Sequence, residues 1–244
     1  MDVEQQQEQQ DKPKILPLPN GPYYLLNDMI PKTVENLQTS DGQPISNISG
    51  TALCRCGASK NKPFCDGTHG TIGFLSYNKM IHENSQISKD KKKSYAGKNI
   101  IIHDNRRICS HAGECVNNLS SVFKLDTKPW IDPDGTSAEE ITQTIKKCPS
   151  GALSYSIDGV EYKDQTERDP MVTVSKNGPY LITGGIDLIG DNIQWANGSS
   201  KEHYTLCRCG ASNNKPFCDG MHKSINFMDD KAELNQFAIL GSNK

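Results

Sequence analysis

Residues 53–69, LCRCGASKNKPFCDGTH, recur almost unchanged as residues 206–222, LCRCGASNNKPFCDGMH. Of the 17 aligned positions 15 are identical, and each copy has the spacing C-x-C-x8-C-x3-H. The candidate ligands are Cys54, Cys56, Cys65 and His69 in the first copy and Cys207, Cys209, Cys218 and His222 in the second. Thiolates and imidazoles are soft or borderline donors that bind zinc, iron and copper. Each copy therefore predicts one metal centre with four protein ligands.

Three kinds of site can use this set of residues. Disulfides are disfavoured, because the opening MDVEQQQEQQDKPK does not look like a secretory signal and the number of cysteines, nine, is odd. Zinc remains an alternative, since three thiolates and one histidine suit a tetrahedral structural site. The C-x-C pair is tighter than the usual zinc spacing and directs two thiolates at one iron of a two-iron cluster more naturally. Cys65 and His69 would then hold the second iron.

The residues around these ligands extend the pattern. The first copy reads Cys54-x-Cys56-x2-Ser59-x3-Pro63-x-Cys65-Asp66-Gly67-Thr68-His69. The second copy matches it at Cys207, Cys209, Ser212, Pro216, Cys218, Asp219, Gly220 and His222. This pattern resembles the signature of the CDGSH (NEET) iron–sulfur domain family, from which the second copy departs at Met221, where the family usually has a small residue. The resemblance implies a [2Fe–2S] cluster in each copy, on a small β-rich fold with one exposed histidine ligand.

A ligand set of three thiolates and one neutral imidazole predicts two chemical properties of such a cluster. Replacing one thiolate of a four-cysteine site by imidazole makes the cluster one charge unit less negative, so its reduction potential rises, as in Rieske centres. Protonation of His69 or His222 removes the lone pair that binds iron, so we expect the cluster to be labile in acid.

Several neighbours of the ligands have more than one interpretation. Asp66 and Asp219 could accept backbone N–H groups, orient the histidine or cap a helix at the end of the loop. Arg55 and Arg208 lie between two thiolates, where they either offset local charge or remain solvated. The glycines expected to let the backbone approach the cluster sulfides are Gly57, Gly67, Gly210 and Gly220.

Three further cysteines lie between the two copies. They occur as Cys109-S-H-A-G-E-Cys115 and Cys148-P-S-G-A-L. Bacterial ferredoxins use C-x2-C-x2-C followed by a remote Cys-Pro, and here Ala112 occupies the central position. The segment 97–160 therefore resembles a divergent single-cluster ferredoxin domain. The alternative is that Cys109, Cys115 and Cys148 are ordinary buried thiols.

The type of cluster in this middle segment depends on the number of ligands. Three cysteines are enough for a [3Fe–4S] cluster, whereas a [4Fe–4S] cluster would need a fourth ligand that is not cysteine, or a solvent ligand. His111 lies in the cluster loop and is the best candidate for that ligand. Alternatively, His111 is an ordinary loop residue, or it contacts one of the cluster ligands without binding iron itself.

The repeats and the polar segments between them predict an α+β protein in which two small β-rich domains flank an α+β ferredoxin-like domain. The predicted segments are a disordered tail at 1–13, a CDGSH-type domain at 14–82, a linker at 83–94, a ferredoxin-like domain at 95–162, a linker at 163–170, a second CDGSH-type domain at 171–230 and a tail at 231–244. Domains of about 60–70 residues are marginally stable, and a metal centre can staple them.

Local patterns predict individual elements. Apolar runs predict strands at 23–26, 100–102 and 172–174. Ser137-A-E-E140 is a capping box that begins a helix with Ile141 and Ile145 on one face. The runs at 153–157 and 160–162 predict a hairpin around Asp158-Gly159.

Composition and motifs narrow the range of functions. The net charge of −2 disfavours broad electrostatic binding of nucleic acid. No apolar stretch reaches 18 residues, so we expect no membrane span. The sequence has no paired acid and base, no nucleophile motif and no nucleotide-binding glycine loop, so we do not expect an enzyme. Reduced cysteines and the missing signal predict a cytoplasmic location.

We expect a multi-cluster iron–sulfur protein that carries electrons between redox proteins, with two [2Fe–2S] clusters and one [3Fe–4S] or [4Fe–4S] cluster. One alternative is a carrier that delivers clusters to apo iron–sulfur proteins, and another is a zinc-stapled interaction scaffold. Members of the CDGSH family commonly pair two cluster loops in a dimer. Here the tandem copies could pair within one monomeric chain, or the chain could form a homodimer.

Overall fold

The computed structural model describes residues 13–26, 37–46, 52–76, 92–191 and 193–230. The tail predicted at 231–244, nearly all of the tail at 1–13 and most of the linker at 83–94 lie outside these ranges. Within them the chain forms three four-stranded sheets and a few short helices. Two of the sheets contain strands from both repeats, and the third belongs to the segment between the repeats.

The first sheet is built mainly from the first repeat. Its strands are β1 (Lys14–Pro17), β2 (Tyr23–Leu26), β4 (Ala52–Leu53) and β11 (Asp187–Leu188), in the spatial order β11-β1-β2-β4. Strands β1, β2 and β4 pair antiparallel, whereas β11 comes from the second repeat and pairs in parallel with β1. A short helix, α1 (Thr68–Thr71), follows the first cluster loop and carries His69.

The second sheet repeats this arrangement with the roles exchanged. Its strands are β3 (Leu37–Thr39), β9 (Met171–Val174), β10 (Tyr180–Thr183) and β12 (Tyr204–Leu206), in the spatial order β12-β10-β9-β3. Strand β3 comes from the first repeat and pairs in parallel with β9. Another short helix, α4 (Met221–Ser224), carries His222.

Each repeat therefore lends one strand to the sheet of the other. The strands predicted at 23–26 and 172–174 are confirmed as β2 and most of β9. Buried side chains from both repeats, among them Ile15, Leu53, Val172 and Leu206, form one continuous hydrophobic core. Because burial of apolar surface is the main favourable term in folding, the two repeats stabilise each other through this core.

Two tyrosines at the centre of this core connect each repeat to the cluster loop of the other. The rings of Tyr23 and Tyr180 are fully buried and meet edge to face with their centroids 6.0 Å apart. The Tyr23 hydroxyl donates to the carbonyl oxygens of Cys207 and Pro216, each 2.9 Å away. The Tyr180 hydroxyl makes the equivalent contacts to the first loop, at 2.8 and 3.0 Å. Each loop is thus held by a hydroxyl of the opposite repeat.

The third sheet lies in the segment between the repeats. Its strands are β5 (Lys93–Ala96), β6 (Ile101–Asp104), β7 (Leu153–Ile157) and β8 (Val160–Tyr162), in the order β5-β6-β7-β8 with antiparallel neighbours. The strand predicted at 100–102 begins one residue later and continues to Asp104. The predicted hairpin is confirmed, and its turn residues Asp158 and Gly159 have φ values of 51° and 79°, as a type I′ turn requires.

Helices cover this third sheet. A 3-10 helix spans Arg106–Ile108, α2 spans Glu114–Asn118 and α3 spans Ala138–Ile145. The predicted capping-box helix is confirmed, because the Ser137 hydroxyl accepts from the Glu140 amide at 3.3 Å and the two isoleucines expected on its inner face are buried. Residues 93–162 are called the middle domain below. In the described ranges, α3 and the shorter helices all fall short of what a membrane crossing requires.

The middle domain docks on the second repeat. Arg107 Nε donates to Asn214 Oδ1 at 3.0 Å, and Asn214 Nδ2 donates back to the Arg107 carbonyl at 3.2 Å. Asn105 Nδ2 donates to the Asn197 carbonyl at 3.1 Å. A small apolar cluster is buried between the two parts and contains Ile108, Ala152 and Ala196. These contacts bring the ferredoxin-like segment against the second cluster loop.

The exchanged tyrosine contacts lead to a first prediction. Tyr23→Phe keeps the ring but removes the hydroxyl donor to the buried Cys207 and Pro216 carbonyls, of which the Pro216 carbonyl still accepts from the Cys207 amide, so we expect a loss of about 1–3 kcal/mol of stability. Tyr180→Phe should cost a similar amount. The measurement is the guanidinium midpoint of the cluster-loaded chain. The matched control is Tyr24→Phe, on the half-buried face of β2, which we expect to change stability by less than about 0.5 kcal/mol. Equal losses in Tyr23→Phe and Tyr24→Phe would contradict the role of the hydroxyl.

Candidate metal centres

The four predicted ligands of each loop come together as two pairs. In the first loop the sulfurs of Cys54 and Cys56 lie 3.8 Å apart, and Cys65 Sγ lies 3.3 Å from His69 Nδ1. The second loop has the same arrangement, with the corresponding distances of 3.8 and 3.5 Å. Among the described residues, no three His, Cys, Asp or Glu side chains converge as a single metal ion would require. Two pairs of donors in each loop are compatible with the two irons of a [2Fe–2S] cluster.

Hydrogen bonds within the loop fix the position of the cysteines. The Cys54 amide donates to the Pro63 carbonyl at 2.7 Å, and the Cys65 amide donates to the Ala52 carbonyl at 2.9 Å. Ser59 is buried, and its hydroxyl donates to the Phe64 carbonyl at 2.6 Å. The second loop repeats these bonds at 2.8, 3.0 and 2.6 Å. The two loops therefore have the same internal structure.

The aspartates after the third cysteine accept backbone N–H groups, which was one of their predicted roles. Asp66 Oδ1 accepts from the Thr68 amide at 3.0 Å and Asp66 Oδ2 accepts from the Lys60 amide at 2.8 Å. Slight burial raises the pKa of Asp66, but these hydrogen bonds outweigh it and hold the pKa at about 2. The alternative that Asp66 caps the helix is wrong, because the N-cap of α1 is Gly67. Asp219 makes the same two contacts in the second loop.

Gly57 and Gly210 allow the two cluster loops to touch. A Cβ atom on Gly57 would lie 2.5 Å from the carbonyl oxygen of Cys209, and one on Gly210 would lie 2.5 Å from the carbonyl oxygen of Cys56. Both glycines also have φ near +79°, a conformation that side chains rarely adopt. The sequence suggested that these glycines admit the backbone to the sulfides, and the structure shows that they admit the backbone of the opposite loop.

The arginines between the paired thiols are buried, so the expectation that they remain solvated is wrong. Arg55 is 4% exposed and Arg208 is 1% exposed. Arg55 lies 5.0 Å above the centroid of the Tyr23 ring and donates to a backbone carbonyl. Arg208 lies 5.7 Å from the centroid of the Tyr180 ring and forms an ion pair with Asp229. Their burial puts positive charge in the core beside the cluster loops.

Two lysines that the sequence analysis overlooked lie close to the thiols. A hydrogen bond from Cys56, helped by the Ser59 and Gly57 amides and by a small effect of the Lys62 charge, outweighs burial and lowers the pKa of Cys54 to about 6, toward the thiolate that binds metal. Cys209 and Lys215 act in the same way on the second loop and bring the pKa of its first cysteine to about 7. The sequence did contain a signal for these lysines, because both copies have a lysine in the same N-K-P-F segment.

The two loops differ in how much of the ligand set is covered. Cys65 and His69 are half-buried, whereas Cys218 is 2% exposed and His222 is 7% exposed. The exposed histidine that the resemblance implied is therefore absent from the second loop, which is a correction. Burial lowers the pKa of His222 to about 4. The middle domain is what distinguishes the second loop from the first.

The cover over the second loop includes His111. A Cβ atom on Gly220 would lie 2.8 Å from His111 Cγ, so the imidazole ring rests on the backbone between two ligands. The equivalent position on Gly67 has no atom within 4 Å among the described residues. His111 itself has a left-handed backbone, with φ of 56°. The structure thus places the predicted fourth ligand of the middle centre in contact with the second loop.

The three remaining cysteines line one cavity in the middle domain. A small cavity of about 30 Å³ is bordered by Cys109, Cys115 and Cys148, together with Trp130 and Asp104. Burial, together with the charges of the two other cysteines, raises the pKa of Cys115 to about 11. Thiols with raised pKa values become thiolates when they bind iron. Three thiols around one cavity fit a ferredoxin-type cluster.

Comparisons with known proteins agree with this description. A family model described as an iron-binding zinc finger of CDGSH type matches residues 20–70 and 177–223. A model of a divergent 4Fe-4S mono-cluster domain matches residues 95–158. The uncharacterized protein YjdI of Escherichia coli strain K12 is 41% identical over 63 residues, which are 26% of this chain and 83% of that protein. YjdI of strain O157:H7 gives the same values. No solved structure matches the chain significantly.

The chain belongs to the CDGSH-type iron–sulfur family, with two CDGSH units and a divergent ferredoxin-type unit between them. Both resemblances inferred from the sequence are confirmed, including the internal repeat.

The different burial of the two histidine ligands predicts different acid stabilities. The variant His222→Cys keeps His69 as its acid-sensitive ligand, and His69→Cys keeps His222. Because burial lowers the pKa of His222 from 6.5 to about 4, its neutral, iron-binding form persists to lower pH. As the pH falls from about 6.5 toward 4, we expect His222→Cys to lose its visible absorption first. The double variant should bleach most slowly, and bleaching of both single variants at the same pH would contradict the prediction.

Proposed function

We propose that the chain is an electron carrier whose three centres form one path, from the ferredoxin-type centre through the second CDGSH centre to the first. The proposed cofactors are two [2Fe–2S] clusters and one [3Fe–4S] or [4Fe–4S] cluster, which supply one-electron chemistry when bound. The family matches support an iron–sulfur protein, since domains of these two kinds are typical of electron carriers and cluster-handling proteins.

The observation that carries this proposal is the contact between the middle domain and the second cluster loop. The His111 ring belongs to the loop with Cys109 and Cys115, and it rests on Gly220 of the second loop. Hydrogen bonds between Arg107 and Asn214 hold the same two loops together. Because electron tunnelling weakens steeply with distance, direct contact between two ligand-bearing loops favours transfer between their centres.

The second part of the path joins the two CDGSH loops. The carbonyl oxygen of Cys209 faces Gly57, and the Tyr23 hydroxyl donates to the carbonyl of Cys207. The Tyr180 hydroxyl donates to the carbonyl of Cys54 at 2.8 Å. In each case a ligand residue of one loop directly contacts a residue of the opposite repeat. These contacts support exchange of electrons between the two CDGSH centres.

The ligand sets support one direction of transfer. Ferredoxin-type centres usually have lower reduction potentials than centres with a histidine ligand. Electrons are proposed to enter at the middle domain from a one-electron redox protein, such as one of the ferredoxin or flavoprotein class. They leave from the first loop, where the half-buried Cys65 and His69 face outward. The paired loops lie within one chain, so a monomer is the proposed working unit.

A second candidate function is delivery of a cluster to an apo iron–sulfur protein. The half-buried His69 favours it, because a ligand near the surface can be protonated or replaced by an acceptor thiol more readily than a buried one. In this case only the first loop would act as the donor. Mixing the loaded chain with an apo-ferredoxin separates the two functions, since a carrier of clusters loses iron to the acceptor whereas an electron carrier retains it.

The proposed cofactors predict a definite iron content. Two two-iron centres and one three- or four-iron centre give about seven or eight irons per chain. The double variant Cys109→Ser with Cys115→Ser should lose about three or four irons and keep the spectrum of the CDGSH pair. Metal analysis of anaerobically purified protein measures both values. Zinc as the main metal, or loss of all iron in the double variant, would contradict the assignment.

The proposed path predicts an order of reduction. After rapid mixing with a low-potential donor, paramagnetic resonance of frozen samples should show the middle centre reduced before the CDGSH pair. Cys148→Ser should slow the reduction of the pair, because it removes the entry point.

A matched pair of glycine variants tests the contact itself. Gly67 and Gly220 have nearly the same φ, 85° and 86°, so alanine at either site introduces similar backbone strain. Only Gly220→Ala displaces the His111 ring. We therefore expect Gly220→Ala to slow the reduction of the CDGSH pair several-fold and Gly67→Ala to leave the rate near that of the unmodified chain. Equal rates in both variants would show that the centres work separately.

A further inference from the structure

Asp104 is a buried acid that lacks the partner such a group requires. It is the last residue of β6 and is 1% exposed. Neither of its carboxylate oxygens has a hydrogen-bond partner. A buried carboxylate without a partner loses its hydration and gains nothing in return, so such groups are rare outside functional sites. The position of Asp104 therefore calls for a ligand.

The surroundings of Asp104 point to the middle metal centre. Asp104 borders the same cavity as the three cysteines of the middle domain. Burial raises the pKa of Cys109, and the charge of Asp104, which borders the same cavity, adds a small contribution in the same direction. Charges on Arg106 and Lys93 act on the carboxylate from further away, but neither residue donates a hydrogen bond to it. The cavity thus contains three thiols and one unpartnered carboxylate.

The sequence of the cluster loop leaves one ligand position open. A four-iron cluster needs four ligands, and Ala112 stands where ferredoxins have their central cysteine. Carboxylate oxygens bind iron in many proteins. His111, the other candidate, also borders the cavity, but its ring rests on Gly220 of the second loop.

We propose that Asp104 is the fourth ligand of the middle centre, which then holds a [4Fe–4S] cluster through three thiolates and one carboxylate. This inference rests on the ferredoxin-type centre proposed above. Ligation by iron would give the buried carboxylate oxygens the direct partner that no hydrogen bond from the surrounding side chains supplies. A carboxylate is a harder ligand than a thiolate, so the iron that it holds is the one expected to leave most readily.

A rival role for Asp104 is to accept a hydrogen bond from the indole of Trp130. That indole lies close enough to influence the carboxylate, although the two do not reach hydrogen-bond geometry. The ring of Trp130 also stacks under Arg106 at 4.9 Å. If the rival role is correct, Asp104→Asn keeps an oxygen that can accept this hydrogen bond and should have little effect. Trp130→Phe removes the donor and should have the same effect as removing the carboxylate. In the proposed role only changes at Asp104 alter the number of irons.

The test uses full-length chain reconstituted anaerobically with ferrous iron and sulfide, followed by Mössbauer and paramagnetic resonance spectroscopy. Asp104→Ala and Asp104→Asn should each lose about one iron per chain and change the middle spectrum from a four-iron to a three-iron type. Asp104→Cys should keep four irons with an altered spectrum. His111→Ala and Trp130→Phe should keep the four-iron type. The absorption of the CDGSH pair serves as an internal measure of folding in every variant.

Each outcome decides between explanations. Asp104→Ala could lose the whole middle cluster. In that case ligation is still supported if Asp104→Cys shows a four-iron spectrum and Asp104→Asn does not. A four-iron spectrum unchanged in Asp104→Asn, or a three-iron spectrum in the unmodified chain, would overturn the inference while leaving the middle centre intact. If the middle cysteines bind no iron in the unmodified chain, the proposed function itself fails.

Discussion

The reciprocal hold of each repeat on the cluster loop of the other is the interaction on which the remaining structure depends. Tyr23 and Tyr180 each donate to loop carbonyls across the core, and Gly57 and Gly210 let the loop backbones meet. The exchange of β3 and β11 provides the surrounding sheets. Hydrogen bonds within each loop set its internal shape, and the groups that anchor the loop to the core come from the far repeat, so each centre depends on the folding of both repeats.

The middle domain turns two nearly identical loops into two different sites. It docks on the second loop through Arg107 and Asn214 and buries His222, while His69 stays half-buried. The ligand types are the same in both loops, so the difference lies in solvent access and not in coordination chemistry. Solvent access controls the protonation of a histidine ligand and the approach of a partner protein. One loop is therefore suited to an internal role and the other to contact with partners.

The sequence predicted the local features well and the long-range ones poorly. The ligand spacing, the hairpin at Asp158-Gly159 and the helix after Ser137 each depend on a few neighbouring residues, and all were recognised. The strand exchange was not, because β3 and β11 pair with residues more than a hundred positions away. The burial of His222 was missed for the same reason, since His111, which covers its loop, lies more than a hundred positions away, whereas Arg208 is held by Ser175, Gly178 and Asp229 of its own repeat. No sequence motif includes Asp104. It becomes a candidate ligand only because the structure buries it at the cavity without a hydrogen-bond partner.

Joining two repeats in one chain also changes what symmetry permits. In a pair of identical subunits related by a twofold axis, any surface present on one subunit is present on the other. A ferredoxin-like partner would then find two equivalent docking faces. Here the halves share a twofold-like core, yet their outer residues are encoded separately, so Asn214 faces Arg107 while its counterpart Asn61 lies exposed. Covalent fusion thereby gives the molecule a polarity that a symmetric dimer cannot have, and the proposed entry and exit of electrons would use its two different ends.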